Sequence, residues 1–250
     1  MSRWLAAVLV WLPLGFASPF LPAARAAEQV DLLLVLAVDV SRSIDDQKFE
    51  LERRGYAAAL SDPRVLQAIA SGPNGRIAIA FVEWAGAGSQ KLLIDWTLVK
   101  DVNDAKGVAG RLLESPRSFA DRTAIGAGID FARAQFARSP YVSDRRVIDV
   151  SGDGTNNSGR DVRAARDEAI ANEVTTINGL VIFSDTPIPY NPEHTNPPGG
   201  LDNYYRENVI GGTNAFVMAA ENFDSFGRSI IAKLIREISA LPADQPFAPG

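Results

Sequence analysis

Cysteine is absent from all 250 residues. The chain therefore has no disulfide, no thiolate metal site and no cysteine for lipid attachment, and an exported fold must rest on its core alone. Histidine occurs once, as His194 in a proline-rich stretch, which leaves zinc centres and Ser-His-Asp triads little to draw on. Basic runs are also missing. With 25 Lys and Arg against 30 Asp and Glu, the formal net charge is −5, a balance that argues against nucleic acid or an anionic membrane as partner. Past the N-terminus no apolar run reaches the ~20 residues that span a bilayer.

The first 26 residues read as a secretory signal peptide. Arg3 supplies a positive start, Trp4 to Phe16 is a short apolar run, and Ala24-Arg25-Ala26 is a small-x-small cleavage site. Pro13, Gly15, Ser18, Pro19 and Pro22 interrupt the stretch and argue against an uncleaved anchor. Cleavage after Ala26 removes two arginines and no acid, so the net charge goes from −5 to −7. The expected location is periplasmic or secreted. Residues 27–240 read as one domain without internal repeats, and 241–250 as a flexible tail.

Within the domain, apolar runs of strand length alternate with stretches of helical period. Strands are expected at Asp31 to Val38, Arg76 to Trp84, Lys91 to Leu98, Arg146 to Val150, Thr175 to Phe183 and Ala215 to Ala220. Their continuous apolar character suits a mostly parallel sheet covered on both faces. The short Ala85-Gly-Ala-Gly-Ser89 turn has no room for a crossover helix, so the third strand pairs antiparallel with the second. Helices are expected at Asp45 to Leu60, Asn103 to Leu113, Ile125 to Phe136, Asp161 to Asn172 and Phe223 to Ile238. This order predicts an α/β fold, a doubly wound central sheet with helices on both faces and one antiparallel edge strand.

In such a sheet, ligands bind beyond the carboxyl ends of the strands. There the first strand, "LLLVLAVDVSRSIDD" (32–46), runs into Asp39, Ser41 and Ser43. A serine capping the next helix, with Asp39 in a turn, would explain these three by themselves. A second carboxylate, Asp153, follows the strand in "VIDVSGDGTNN" (147–157), and Thr123 precedes a helix in "DRTAIGAGID" (121–130), where an N-cap role is the simplest. Taken together, three loops can bring two carboxylates and three hydroxyls to one sheet edge. All-oxygen coordination with few charges suits a hard divalent cation: Mg²⁺, Mn²⁺ or Ca²⁺.

The D-x-S-x-S after strand 1, the threonine before a helix and the later aspartate resemble the metal-ion-dependent adhesion site of the von Willebrand factor A domain. The resemblance runs over roughly residues 30 to 240, and "RRVIDVSGDGTNN" is similar to an exported bacterial A-type group of unassigned function. It implies a cation, most simply Mg²⁺, held by Asp39, Ser41, Ser43, Thr123 and Asp153. It also implies a binding module that captures an Asp or Glu of a protein partner, and no enzyme. Asp149 departs from the family, which carries an apolar residue there, and Glu83 poses the same problem of a carboxylate inside a strand. Each either pairs with an arginine or backbone N–H, or forms an acidic second shell around metal-bound water. The stretch 184–205 starts at the same edge; a proline-rich loop of this length is either a binding rim or disordered, and Tyr190, His194, Tyr204 and Tyr205 favour the rim. The alternatives are a Mg²⁺-dependent phosphohydrolase with Asp39 as nucleophile, although Ser41 stands where a second acid is needed, and a structural domain with an unused site.

Overall fold

The computed structural model describes residues 27–183, 191–223 and 225–240. The signal-peptide segment, the tail and Tyr190 lie outside them. In chain order the elements are β1 (Glu28–Gln29), β2 (Leu33–Asp39), α1 (Asp46–Leu60), α2 (Pro63–Ala70), β3 (Ile77–Trp84), β4 (Gln90–Val99), α3 (Val102–Glu114) and α4 (Ile125–Phe136). There follow β5 (Tyr141–Val142), β6 (Arg146–Gly152), α5 (Val162–Asn172), β7 (Thr176–Ile182), α6 (Pro192–Thr195), α7 (Leu201–Asn208), β8 (Gly211–Gly212), β9 (Val217–Ala220) and α8 (Phe226–Ile238).

The main sheet runs β4-β3-β2-β6-β7, with β8 and β9 both on β7. β3, β2, β6, β7 and β9 are mutually parallel, and β4 lies antiparallel to β3 as the tight turn requires. A second antiparallel pair, β7 with the two-residue β8, was not legible in a Gly-Gly stretch. Alternation along β2 splits the core in two. Leu34, Leu36 and Val38 pack with α1, α2, α3 and α8, whereas Leu33, Val35 and Ala37 pack with α4, α5 and α7. Both sheet faces are thus covered, and every residue of β2 and β3 is buried.

Aspartates start four of the helices. Asp45, Asp62, Asp101 and Asp161 each accept a backbone N–H from the first turn of α1, α2, α3 and α5. α2 is only eight residues long, with Val65 and Ile69 buried four apart, and its Asp62-Pro63 start has the form of cap and first helical residue. The stretch 184–205 departs from the expected open rim. Its described part folds into α6 and the start of α7, with His194 and Tyr205 buried.

Two carboxylates inside strands are explained by pairing. Glu83 is bound by the Arg53 guanidinium from α1 and accepts the Ser118 N–H at 3.0 Å. Asp149 lies 2.6 Å from the Lys233 ammonium of α8, and the same ammonium bonds Glu237 one turn on. Asn178 donates to Glu237 at 2.8 Å. One buried lysine cannot neutralise two buried acids, and burial together with the Asp149 charge raises the Glu237 carboxyl to about 7. An acid whose pKa is higher folded than unfolded holds its proton in the native state, so its contribution is full below pH ~4.5 and is lost as pH rises to ~7. Thermal melts at pH 5 and pH 7.5 test this: Glu237→Gln removes a pH-dependent destabilisation on the order of 2 kcal/mol, so the variant's melting temperature falls less than the wild type's over that range.

Candidate metal centre

β2 and β6 lie side by side and in parallel, so their carboxyl ends deliver Asp39 and Asp153 to the same edge. Asp39 Oδ1 accepts the Ser41 N–H at 2.7 Å, which folds the chain back immediately after the strand. Ser41 Oγ and Ser43 Oγ are 3.0 Å apart, and Ser43 Oγ donates to Asp153 Oδ1 at 2.6 Å. The first and third loops are therefore joined through a serine. Because Asp45 caps α1, neither serine is needed as a helix cap. Thr123 is no cap either: α4 starts from Ala124 without a side-chain cap, and Thr123 Oγ1 faces His194 Nε2 at 3.2 Å.

Backbone contacts hold the three loops in place. Arg117 donates to the carbonyls of Val40, Ser41 and Phe119 at 2.7–2.8 Å, and Arg42 N–H donates to Asp121 O at 2.8 Å. Thr123 N–H donates to Asn157 Oδ1 at 2.9 Å, and Asn157 N–H returns to Thr123 O at 2.8 Å. α4 reaches this edge by lying close against the sheet: a Cβ on Gly128 would stand 2.8 Å from the Trp84 ring. His194, expected on a binding rim and not among the ligands, closes the site from α6. A Cβ on Gly154 would meet its Nε2 at 2.3 Å, and Thr155 N–H donates to its carbonyl at 2.9 Å. A lone histidine in a proline-rich stretch carried no signal of that contact.

Asp39, Ser41, Thr123 and Asp153 are all buried, and Ser43 partly so. Asp39 Oδ2 and Asp153 Oδ2 have no hydrogen-bond partner. Lys48 Nζ stands 3.8 Å from Asp153 Oδ2 and donates to Ser43 O at 3.2 Å. Burial, and then the charge of Asp153, push the Asp39 carboxyl well above its ordinary range. Burial also raises Asp153, against the Ser43 hydroxyl and Lys48, which pull it down. Burial lowers His194, with the Asp153 charge acting the other way. Glu83 and Asp149 have their own cations and do not join this cluster. Among the described residues no three His, Cys, Asp or Glu side chains stand at metal-holding spacing, so any cation here must use hydroxyls beside two acids. Two carboxylate oxygens without a hydrogen bond, at an edge that also carries three hydroxyls, fit a hard cation that keeps part of its water.

The family model described as "Protein of unknown function (DUF1194)" matches residues 29–242. The chain belongs to the DUF1194 family. No curated protein matches it. Among solved structures, this DUF1194 chain resembles the mussel byssus proximal thread matrix protein 1 with a zinc-occupied MIDAS motif, at a TM-score of 0.57 and 15% identity over 85% of this chain and 49% of that one. It also resembles the open-conformation pilus adhesin SpaC from Lactobacillus rhamnosus GG (0.58; 13%; 84% and 30%) and a von Willebrand factor type A protein from Catenulispora acidiphila (0.51; 14%; 84% and 43%). The DUF1194 chain spans about half the length of the mussel protein and less of the other two. Its fold is of the von Willebrand factor A type.

A cation at about 100 times its Kd adds about 2.7 kcal/mol to the native state. With millimolar Mg²⁺, Mn²⁺ or Ca²⁺ the melting temperature is expected to rise by roughly 5–10 °C, and Ser41→Ala/Ser43→Ala to abolish the rise. Identical melting curves with all three ions and with EDTA would count against the site.

Proposed function

We propose that this chain is an exported binding module which captures an Asp or Glu of a protein partner through a divalent cation, Mg²⁺ in the first instance. Asp39, Ser41, Ser43, Thr123 and Asp153 hold that cation, and the partner's carboxylate completes its shell. The observation that carries the reading is the pair of buried carboxylate oxygens, Asp39 Oδ2 and Asp153 Oδ2, left without a hydrogen bond beside three hydroxyls. Two acids neutralise a divalent ion, and neutral hydroxyls add donors without further negative charge, so a bound cation keeps its attraction for one more carboxylate.

The residues around the edge suit that role. A cavity of about 300 Å³ opens over Ser43 and Thr123, with Arg42 and Arg122 on its rim and His194 and Asn157 in its wall. Both arginines are exposed and favour the approach of an acidic segment to a chain that is negative overall. Arg117 keeps the first loop's carbonyls engaged, so Ser41 and Ser43 meet the cation without loop ordering at the moment of binding. Export is supported by the pattern of residues 1–26 and is compatible with the absence, among the described residues, of any helix long and apolar enough to cross a membrane. The relatives lend support of a general kind: one has a zinc-occupied MIDAS motif and another is a pilus adhesin. The phosphohydrolase reading draws no support from Ser41, whose backbone N–H is bonded to Asp39 Oδ1.

Affinity capture from the exported fraction, run in Mg²⁺ and in EDTA, tests the module. Asp153→Ala gives it a sharp form. Removing one of two repelling buried carboxylates is expected to leave the metal-free protein as stable as wild type or more so, while Mg²⁺-dependent capture is lost. A turn-forming role predicts the reverse, a metal-free loss of about 1–3 kcal/mol with capture intact.

A further inference from the structure

The metal edge holds more unpaired buried oxygen than its three motif loops contain. Both carboxyl oxygens of Glu52 and the hydroxyl of Tyr205 also have no hydrogen-bond partner, although the two residues are 1% and 0% exposed. Neither belongs to a motif loop. Glu52 stands on α1, where Lys48, Glu52 and Tyr56 follow at intervals of four and share one face. Lys48 lies 3.8 Å from Asp153 Oδ2, and Tyr56 donates to Ser151 Oγ at 3.0 Å. Glu52 lies on α1 between those two contacts, which Lys48 and Tyr56 make with Asp153 and Ser151 at the end of β6. Burial raises its carboxyl, and the charges of Asp39 and Asp153 raise it further.

Tyr205 arrives from the opposite face of the sheet, on α7. A Cβ on Gly152 would lie 2.6 Å from its hydroxyl oxygen and 3.0 Å from Asp39 Oδ2, so the phenol and the aspartate share the space above that glycine. Asp39 and Asp153 are thus bracketed by an unpaired acid on one side of the sheet and an unpaired phenol on the other. A buried polar group without a partner is costly, and here such groups gather at one point. Glu52 does not complete a three-acid set at metal-holding spacing, so its reach to a cation runs through water.

Resting on the cation reading above, we infer that Glu52 and Tyr205 are positioning residues for the cation's hydration water. A small hard cation keeps several waters, and those waters need acceptors. Glu52 and the Tyr205 hydroxyl provide them from the two faces of the sheet. Outer partners of this kind typically change metal affinity 10- to 100-fold when mutated.

The test is calorimetric titration of EDTA-stripped protein with MgCl₂ and with MnCl₂, on wild type, Glu52→Gln, Tyr205→Phe and Glu50→Gln. Glu50, exposed on the same helix, controls for the loss of one negative charge. Glu52→Gln is expected to weaken both cations about 10- to 100-fold and Tyr205→Phe by about 10-fold, whereas Glu50→Gln stays within about twofold because salt screens it. In EDTA, Glu52→Gln is expected to melt no lower than wild type, since an amide is easier to bury than a carboxylate. Wild-type binding matched by both Glu52→Gln and Tyr205→Phe overturns this inference and leaves the cation site standing. A wild type that binds neither ion overturns both. Should Glu52→Gln fail to fold, Tyr205→Phe decides alone.

Discussion

Asp39 and Asp153 sit buried at the ends of two adjacent parallel strands, with one lysine 3.8 Å from the second of them as nearby positive charge. Burial alone disfavours each charge, and their proximity disfavours the pair further. Much of the surrounding structure keeps them there. The Ser41 N–H and the Ser43 hydroxyl each take one oxygen, Arg117 holds the carbonyls of the first loop, and Asn157 ties the second loop to the third. The edge is polar, and Lys48 stands 3.8 Å from Asp153 rather than at the 2.6 Å that separates Lys233 from Asp149, which leaves negative charge there for a divalent ion to neutralise.

The same chain handles other buried acids differently. Glu83 has Arg53, and Asp149 and Glu237 have Lys233 between them. Those cations are built into the protein, on helices packed against one face of the sheet. Each of those acids, then, has a cation in direct contact, while at the edge Lys48 stands back at 3.8 Å from Asp153. That contrast separates structural carboxylates from the candidate site more sharply than burial does, because all of them are buried.

The parallel sheet was legible because continuous apolar runs such as Leu32–Val38 have few other stable uses. The loops bearing Asp39, Ser41, Ser43, Thr123 and Asp153 were legible from their place after strands and before helices. Side-chain partners were not. The sequence left Ser41, Ser43 and Thr123 open as helix caps, and only the geometry assigns the α1 cap to Asp45 and leaves α4 without one. The stretch 184–205 reads as a proline-rich loop because Pro192, Pro197 and Pro198 obscure two short helices, and the tyrosines read as rim residues because burial of Tyr205 depends on where α7 packs. Glu52 was invisible for a different reason. On a helix rich in charge, nothing local distinguishes an inward glutamate from its outward neighbours Glu50 and Arg54.

Gly152 and Tyr205 fill one volume between them, since any side chain at the glycine would take the space of the phenol oxygen and crowd Asp39. The two positions lie 53 residues apart, on a strand and on a helix, yet neither can change size without the other giving way. In divergent relatives they are therefore expected to vary as a pair, small opposite large. D-x-S-x-S recurs by chance in unrelated chains. A glycine two residues past Val150 at the end of β6, matched by a tyrosine in α7, the second helix after β7, is a longer-range signature by which this form of the edge can be traced.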